Sequence, residues 1–227
     1  MKEKRGKLIV LEGTDGSGKK TQTKLLIERL QKEGYRIATI SFPQYGEKSA
    51  GPVEEWLVGK YGDIKNVDPR VVSIFFAVDR FDAARTIRSA LDKGMITVLD
   101  RYVDSNAGHQ GGKIKNEKER KVFFRWLYDM EYRIFGIPRP DIVLVLHIPI
   151  DFTQKLVRQR QQKLRFPGTL EHDTDREYQK NSERSYLVLV KQSPETHRMV
   201  ECVSGEKLLA PRVIHEKIWK IIKPALL

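Results

Sequence analysis

Cysteine is nearly absent. Cys202 is the one thiol in 227 residues, so no internal disulfide can close, and no Cys/His cluster has the spacing of a zinc site. Long apolar runs are missing too. Even a run as long as any in the chain, Ile142 to Leu146, is strand-sized and far short of the ~20 residues that cross a bilayer. Near the N-terminus Leu8 to Leu11 follow basic residues but stop at Glu12, too soon for the apolar stretch of a signal peptide. No internal repeat or Pro/Gly/Ser-rich linker divides the chain, which argues against fibrous and low-complexity classes and for one domain over residues 1–227. These absences lead us to expect a cytoplasmic globular protein with no membrane contact. Hydrophobic residues make up 40% of it and charged residues 32%, enough apolar material for a sizeable core. Acidic residues are in deficit: 30 Asp and Glu face 42 Lys and Arg, a net charge of +12. The partner is therefore anionic: nucleotide, nucleic acid or an acidic surface.

Short β-branched runs alternate with helical stretches. The expected strands are 7–12, 36–42, 95–100, 141–147 and 198–203. The continuous apolar run Ile142-Val143-Leu144-Val145-Leu146 suits a parallel strand buried on both faces. Between them, helical spacing marks Thr21 to Glu33, ending at Gly34, and also Phe75 to Leu91, Lys118 to Phe135 and Val213 to Ile222. Strands alternating with helices predict an α/β fold, a five-stranded parallel sheet with helices on both faces. Such sheets bind ligands beyond the C-terminal ends of their strands. The loops beginning near Gly13, Pro43, Arg101, Pro149 and Ser204 are the ones to examine.

The first of these reads Gly13-Thr14-Asp15-Gly16-Ser17-Gly18-Lys19-Lys20-Thr21. Glycines between a strand and a helix let backbone N–H groups close around phosphates at a helix N-terminus. Lys19 then reaches the β- and γ-phosphates, whereas the Ser or Thr that usually follows, to hold Mg²⁺, is Lys20. A mere glycine-rich turn explains less of this pattern than ATP binding does. Asp15 would repel phosphate, so its carboxylate should face a hydroxyl or a metal. A second strand ends in Asp100-Arg101-Tyr102. An acid there can hold a metal's water shell, and an arginine can bridge transferring phosphates; a salt-bridged strand end is the plainer alternative.

Four segments in register carry more than any one of them. Glu12-Gly13-Thr14-Asp15-Gly16-Ser17-Gly18-Lys19, Phe42-Pro43-Gln44-Tyr45, Phe76-Ala77-Val78-Asp79-Arg80-Phe81 and Ser105-Asn106-Ala107-Gly108-His109-Gln110-Gly111 together resemble the motif set of thymidylate kinases, along the whole chain. The resemblance implies a P-loop NTPase fold with a small lid, ATP as donor, dTMP as acceptor, Mg²⁺ as cofactor and a homodimer. It implies that Phe76 stacks on the thymine ring, Arg80 bonds the O4 edge and Asn106 meets the N3 side. Arg101 contacts the acceptor phosphate, Asp15 bonds the sugar 3′-hydroxyl, and His109 crowds the place of a ribose 2′-hydroxyl. Phe42, Tyr45 and Ser105 complete the dTMP side; Gly13, Gly16, Ser17, Gly18, Lys19, Lys20 and Thr21 form the ATP side. The spacing of Phe76 and Arg80, one helical turn, puts both on one face.

Two positions depart from the common pattern, Tyr45 for arginine and Lys20 for Ser or Thr. Both resemble a bacterial subgroup whose loops read F-P-x-Y and G-K-R-T. Asp15, Asp100 and Asp173 stand as metal candidates. The basic run Lys155, Arg158, Arg160, Lys163, Arg165 matches the family's lid, about 151–177, and Arg160 and Arg165 are the expected catalytic cations beside Lys19, Arg101 and Asp15. Ser204 to Lys207 would border the adenine, on position alone. Phe123, Trp126 and Met130 at helical spacing read as core or dimer contact. Two other functions share the phosphate loop: a kinase for another deoxynucleoside monophosphate, and an ATP-dependent nucleic-acid-binding protein suggested by the charge. Two polyanionic substrates and a basic surface account for that charge better, so no nucleic acid is required.

Overall fold

In the computed structural model, the described residues are 5–64, 66–150, 152 and 176–226. Strands β1 (Leu8–Glu12), β2 (Ile37–Ser41), β3 (Ile96–Asp100), β4 (Ile142–His147) and β5 (His197–Glu201) form one sheet in the order β2-β3-β1-β4-β5. Every pairing in it is parallel. Each strand falls within a residue or two of its expected place. The continuous apolar runs arise because β1, β3 and β4 are covered on both sides, whereas edge strand β2 is only partly buried.

Alternate residues of a strand face opposite ways, and β1 divides accordingly. Leu8 and Val10 join a core with α3 (Pro69–Asp92), α4 (Val103–Gly112), α5 (Glu117–Tyr128) and α6 (Arg176–Gln192). Ile9 and Leu11 join a second core with α1 (Lys19–Lys32) and α7 (Pro211–Leu226), through Leu26, Leu30, Ile214, Ile218 and Ile222. Helices therefore cover both faces. A short helix, α2 (Gly51–Leu57), lies before α3, and a small hairpin, Val203–Ser204 with Lys207–Leu208, follows β5. Among the described residues no helix is long and apolar enough to cross a membrane.

Helix α3 starts six residues ahead of the expected Phe75. Asp68 accepts the Arg70 N–H at 2.7 Å and Pro69 occupies the first turn, a cap and a preset φ that favour a start there. Helix α4 was not expected, because its sequence, VDSNAGHQGG, is polar and glycine-rich. Packing explains it. A Cβ on Gly108 would stand 2.3 Å from the Tyr186 ring, and one on Gly111 2.6 Å from Phe124, so bare backbone lets α4 lie against α6 and α5. Phe123 and Met130 belong to the core. Helix α5 passes into one widened turn, Asp129–Ile134, in which the Phe135 N–H reaches the Met130 carbonyl at 2.8 Å.

Candidate active site

The C-terminal ends of β1 and β3 lie side by side, Leu11 opposite Asp100, and the two loops leaving them build the site. The loop after β1 depends on glycine at both ends. A Cβ on Gly13 would press to 2.6 Å from the Leu146 carbonyl, and Gly18, directly before α1, has φ 85°. No side chain caps α1 and its first turn holds no acid, so the N–H groups there are available to an anion. Lys19 Nζ lies along the loop, donating to the carbonyls of Gly13 at 2.9 Å and Thr14 at 2.8 Å. Burial, helped by the nearby Arg101 cation and opposed by Asp15 and Asp100, lowers its pKa to about 8. Ser17 is buried, while Lys20 and Thr21 are exposed on α1.

Arg101 has φ 69°, a left-handed conformation that costs a non-glycine residue ~1–2 kcal/mol. The structure over-determines it. Arg101 N–H donates to the Leu11 carbonyl at 2.9 Å, and Glu12 Oε1 accepts from the N–H groups of Tyr102 at 2.7 Å and Ser105 at 3.1 Å. Glu12 Oε2 accepts from the hydroxyls of Ser105 at 2.7 Å and Tyr186 at 3.0 Å. Glu12 is fully buried. Burial, with the Asp104 charge, pushes its pKa up to about 7 against the pull of Ser105 and Arg101.

So held, the guanidinium meets Asp15 and His109. Arg101 Nη2 donates to Asp15 Oδ1, and Nη1 lies 3.1 Å from His109 Nε2. Burial works against the Asp15 charge, but the Arg101 cation, with Lys19, holds its carboxyl well below the usual range. Arg101 can only donate, so His109 Nε2 accepts and the ring proton sits on Nδ1, donating to Tyr178 Oη at 2.9 Å. Burial lowers the His109 pKa to about 3, with Arg101 adding to it and Asp15 opposing. The imidazole is neutral, and it positions the arginine.

The expected base-side residues gather between α3 and α4. Phe76 is half-buried, edge-on to Trp56 with centroids 6.0 Å apart. Arg80, one turn on, is 1% exposed and forks onto the equally buried Glu131, Nε and Nη2 each 2.6 Å from a carboxylate oxygen, while Nη1 donates to the Tyr102 carbonyl at 3.3 Å. Much of the fork expected to face the base is thus engaged inside the protein. Asn106 Nδ2 donates to the Ser73 carbonyl at 3.1 Å. Phe42 is buried against Tyr102, whereas Tyr45 is 65% exposed in the loop after β2. That loop is pinned to α3 by Asp79, which accepts from Gln44 N at 2.9 Å, Gln44 Nε2 at 3.0 Å and Ser49 Oγ at 2.7 Å.

Arg160, Arg165 and Asp173 lie outside the described residues. Among those described, no group of three or more His, Cys, Asp or Glu could hold a metal ion. One orphan does fit Mg²⁺: Asp100 Oδ1 is buried with no hydrogen-bond partner, at the strand end beside Lys19. Glu12 and Asp79 stand in the motifs with no role expected of them, and Glu131 escaped the sequence reading. A single acid at a strand end or on an amphipathic helix looks like surface, and only the fold shows these three to be internal.

This geometry has relatives. A family model described as thymidylate kinase matches residues 11–204. The chain is 31% identical over 188 residues to the thymidylate kinase of Mycobacterium tuberculosis, covering 82% of this chain and 86% of that one. It is 31% identical over 225 residues to a probable thymidylate kinase of Pyrococcus horikoshii, covering 98% of each. A solved thymidylate kinase structure from Candida albicans superposes with a TM-score of 0.73 at 21% identity, over 97% of this chain and 92% of that chain, a likeness of fold. The chain belongs to the thymidylate kinase family.

Proposed function

We propose how this site performs the family's reaction. The chain is a phosphotransferase that phosphorylates dTMP to dTDP with ATP as donor. It acts as a single P-loop kinase domain, with the lid expected at about 151–177, a segment that lies almost wholly outside the described residues. The observation that carries the mechanism is Arg101, held in a left-handed conformation by Glu12 between the two loops. Phosphoryl transfer asks little covalent chemistry of a protein; it asks for alignment and for cations where charge spreads. The loop N–H groups and Lys19 hold the β- and γ-phosphates of ATP. Arg101 bridges from the dTMP phosphate toward the transferring group, so an acceptor phosphate oxygen bonds the γ-phosphorus as its bond to the β-bridging oxygen breaks. Asp15 keeps Arg101 in place and takes the sugar 3′-hydroxyl. Arg160 and Arg165 add lid cations.

Mg²⁺ supplies charge neutralisation on the phosphates when bound. With Asp15 turned to Arg101, the orphaned Asp100 oxygen would hold the ion's water shell, with Asp173 a second candidate; Mg²⁺ commonly takes one or two carboxylates and completes its shell with water and phosphate. On the base side, Phe76 stacks, Arg80 donates to O4 and Asn106 accepts from N3–H, while His109 closes the site near the sugar. Val71, Ile74, Val78 and Phe81 line an exposed apolar stripe along α3, which we assign to a homodimer contact. The reaction belongs to the cytoplasm, as expected from the near absence of cysteine. Steady-state assay of ADP release with dTMP, dUMP, dCMP and dGMP tests the acceptor assignment. Thymine and uracil should be accepted and the others nearly inert, and a preference for dCMP or dGMP would overturn it.

A further inference from the structure

Glu131 stands out. It is fully buried, touches no residue expected to meet ATP, and is set in the widened turn Asp129–Ile134 that follows α5. Such turns are rare and tend to mark functional positions. Here the turn changes the helix phase. Ile134, which an unbroken α-helix would stack beneath Leu127 and Glu131, is instead 62% exposed, while Glu131 stays inside against α3 and α4.

Arg80 makes the bidentate pair already described with this carboxylate. Asn106 Nδ2, on the facing helix, donates to the Ser73 carbonyl. A carbonyl can only accept, so that bond takes the NH₂ end of Asn106. The amide then has one orientation, and its oxygen is the end that remains for a ligand. Arg80 likewise keeps one hydrogen on each terminal nitrogen after pairing with Glu131 and Tyr102.

We propose that Glu131 is the positioning residue that aims the Arg80 guanidinium, so that its remaining donors face the base edge beside the acceptor oxygen of Asn106. This rests on the reading that Arg80 and Asn106 face the base. A donor next to an acceptor matches the O4 and N3–H edge of thymine or uracil. Cytosine presents the reverse, an amino donor and a bare N3, and meets two mismatches. Without the carboxylate, Arg80 loses the partner that aims it, while Asn106 keeps its bond to Ser73.

The test compares Glu131→Gln with Asn106→Leu, using dTMP and dCMP as acceptors. Glu131→Gln should raise the KM for dTMP about tenfold or more, the usual size of one lost charged partner, and should narrow the dTMP/dCMP ratio of kcat/KM. The KM for ATP should not move, and kcat should stay within a few-fold. Glu131→Asp, which keeps the charge but is one methylene shorter, should recover part of the ratio. If Asn106→Leu narrows the ratio and Glu131→Gln leaves it unchanged, the proposal fails while the base-reading assignment stands. If neither variant alters it, the base-reading assignment itself fails. Should Glu131→Gln not fold, the wild-type enzyme decides: with ¹⁵N-arginine labelling, the Arg80 Nε–H proton held by Glu131 should exchange slowly, and rapid exchange would overturn the proposal.

Discussion

Replacing Glu12 by leucine should disable phosphoryl transfer although Glu12 itself faces no substrate. The carboxylate is wholly internal and collects four hydrogen bonds, from Tyr102 N, Ser105 N, Ser105 Oγ and Tyr186 Oη, at 2.7, 3.1, 2.7 and 3.0 Å. Leucine is similar in size and accepts none. The two hydroxyls can turn elsewhere, but the two backbone N–H groups cannot. At ~1–3 kcal/mol for each buried donor left unpaired, their loss amounts to ~2–6 kcal/mol. That exceeds the ~1–2 kcal/mol stored at Arg101 by its positive φ, so the cheapest relief is for the turn after β3 to re-form with Arg101 in an ordinary conformation. The guanidinium then leaves Asp15 and His109, and kcat should fall on the order of 10³, the scale of an arginine's contribution to phosphoryl transfer. The KM for ATP should change little, because the loop and Lys19 are held by other contacts. Glu12→Gln is the control. Its oxygen can keep the two N–H groups while its amide donates to the two hydroxyls, which also accept. Most of kcat should survive. One feature should disappear: with Glu12 raised to about 7, wild-type kcat should climb between pH 6 and 8 as the carboxylate forms, and the glutamine variant should be flat there. Coupled ADP-release kinetics at saturating substrates, with circular dichroism to confirm folding, read both effects. A folded Glu12→Leu enzyme with kcat within threefold of wild type would refute the reasoning.

His109 stays neutral in the folded protein, its pKa lowered by burial to about 3, while the unfolded chain takes up that proton near 6.5. Its contribution is therefore complete above pH 6.5 and is lost as pH falls toward 3, by up to ~5 kcal/mol. His109→Gln should flatten the fall of Tm between pH 7 and 4, and unchanged slopes would contradict this. Gly108→Ala improves helix propensity by ~1 kcal/mol but places a Cβ 2.3 Å from the Tyr186 ring, so overpacking of ~1–3 kcal/mol or more should lower Tm; an equal or higher Tm would show the contact to be soft. Asp100→Asn should raise the Mg²⁺ concentration for half-maximal rate, whereas Lys20→Ala should lower kcat and leave that midpoint in place. The opposite pattern would put the ion at the Lys20 end of the loop.

The central strands were legible because burial on both faces writes itself as apolar runs, and the half-buried edge strands β2 and β5 were legible by their place between helical stretches. The phosphate loop was legible for a related reason: Gly13 and Gly18 occupy places where a side chain is strained or excluded. Helix α4 was not. Its three glycines lower local propensity and gain their value only from the close approach of Tyr186, Phe124 and Ser182, contacts that lie far along the chain. Glu12 and Glu131 were hidden similarly. Neither stands out from its neighbours in the chain, and the meaning of each lies in partners such as Tyr186 and Arg80 that no spacing rule connects. Arg80 shows the limit of carrying a role over from a motif. The resemblance implies a base reader, and the fold adds that most of its donors already hold Glu131 and Tyr102.

The most direct test follows the transferred group itself. Incubation with ATP labelled in the γ-phosphate and with dTMP should move the label into the β-phosphate of dTDP, in equal amount to the ADP formed and with no dependence on added oligonucleotide. Label released as inorganic phosphate, or turnover that requires a nucleic acid, would contradict the account.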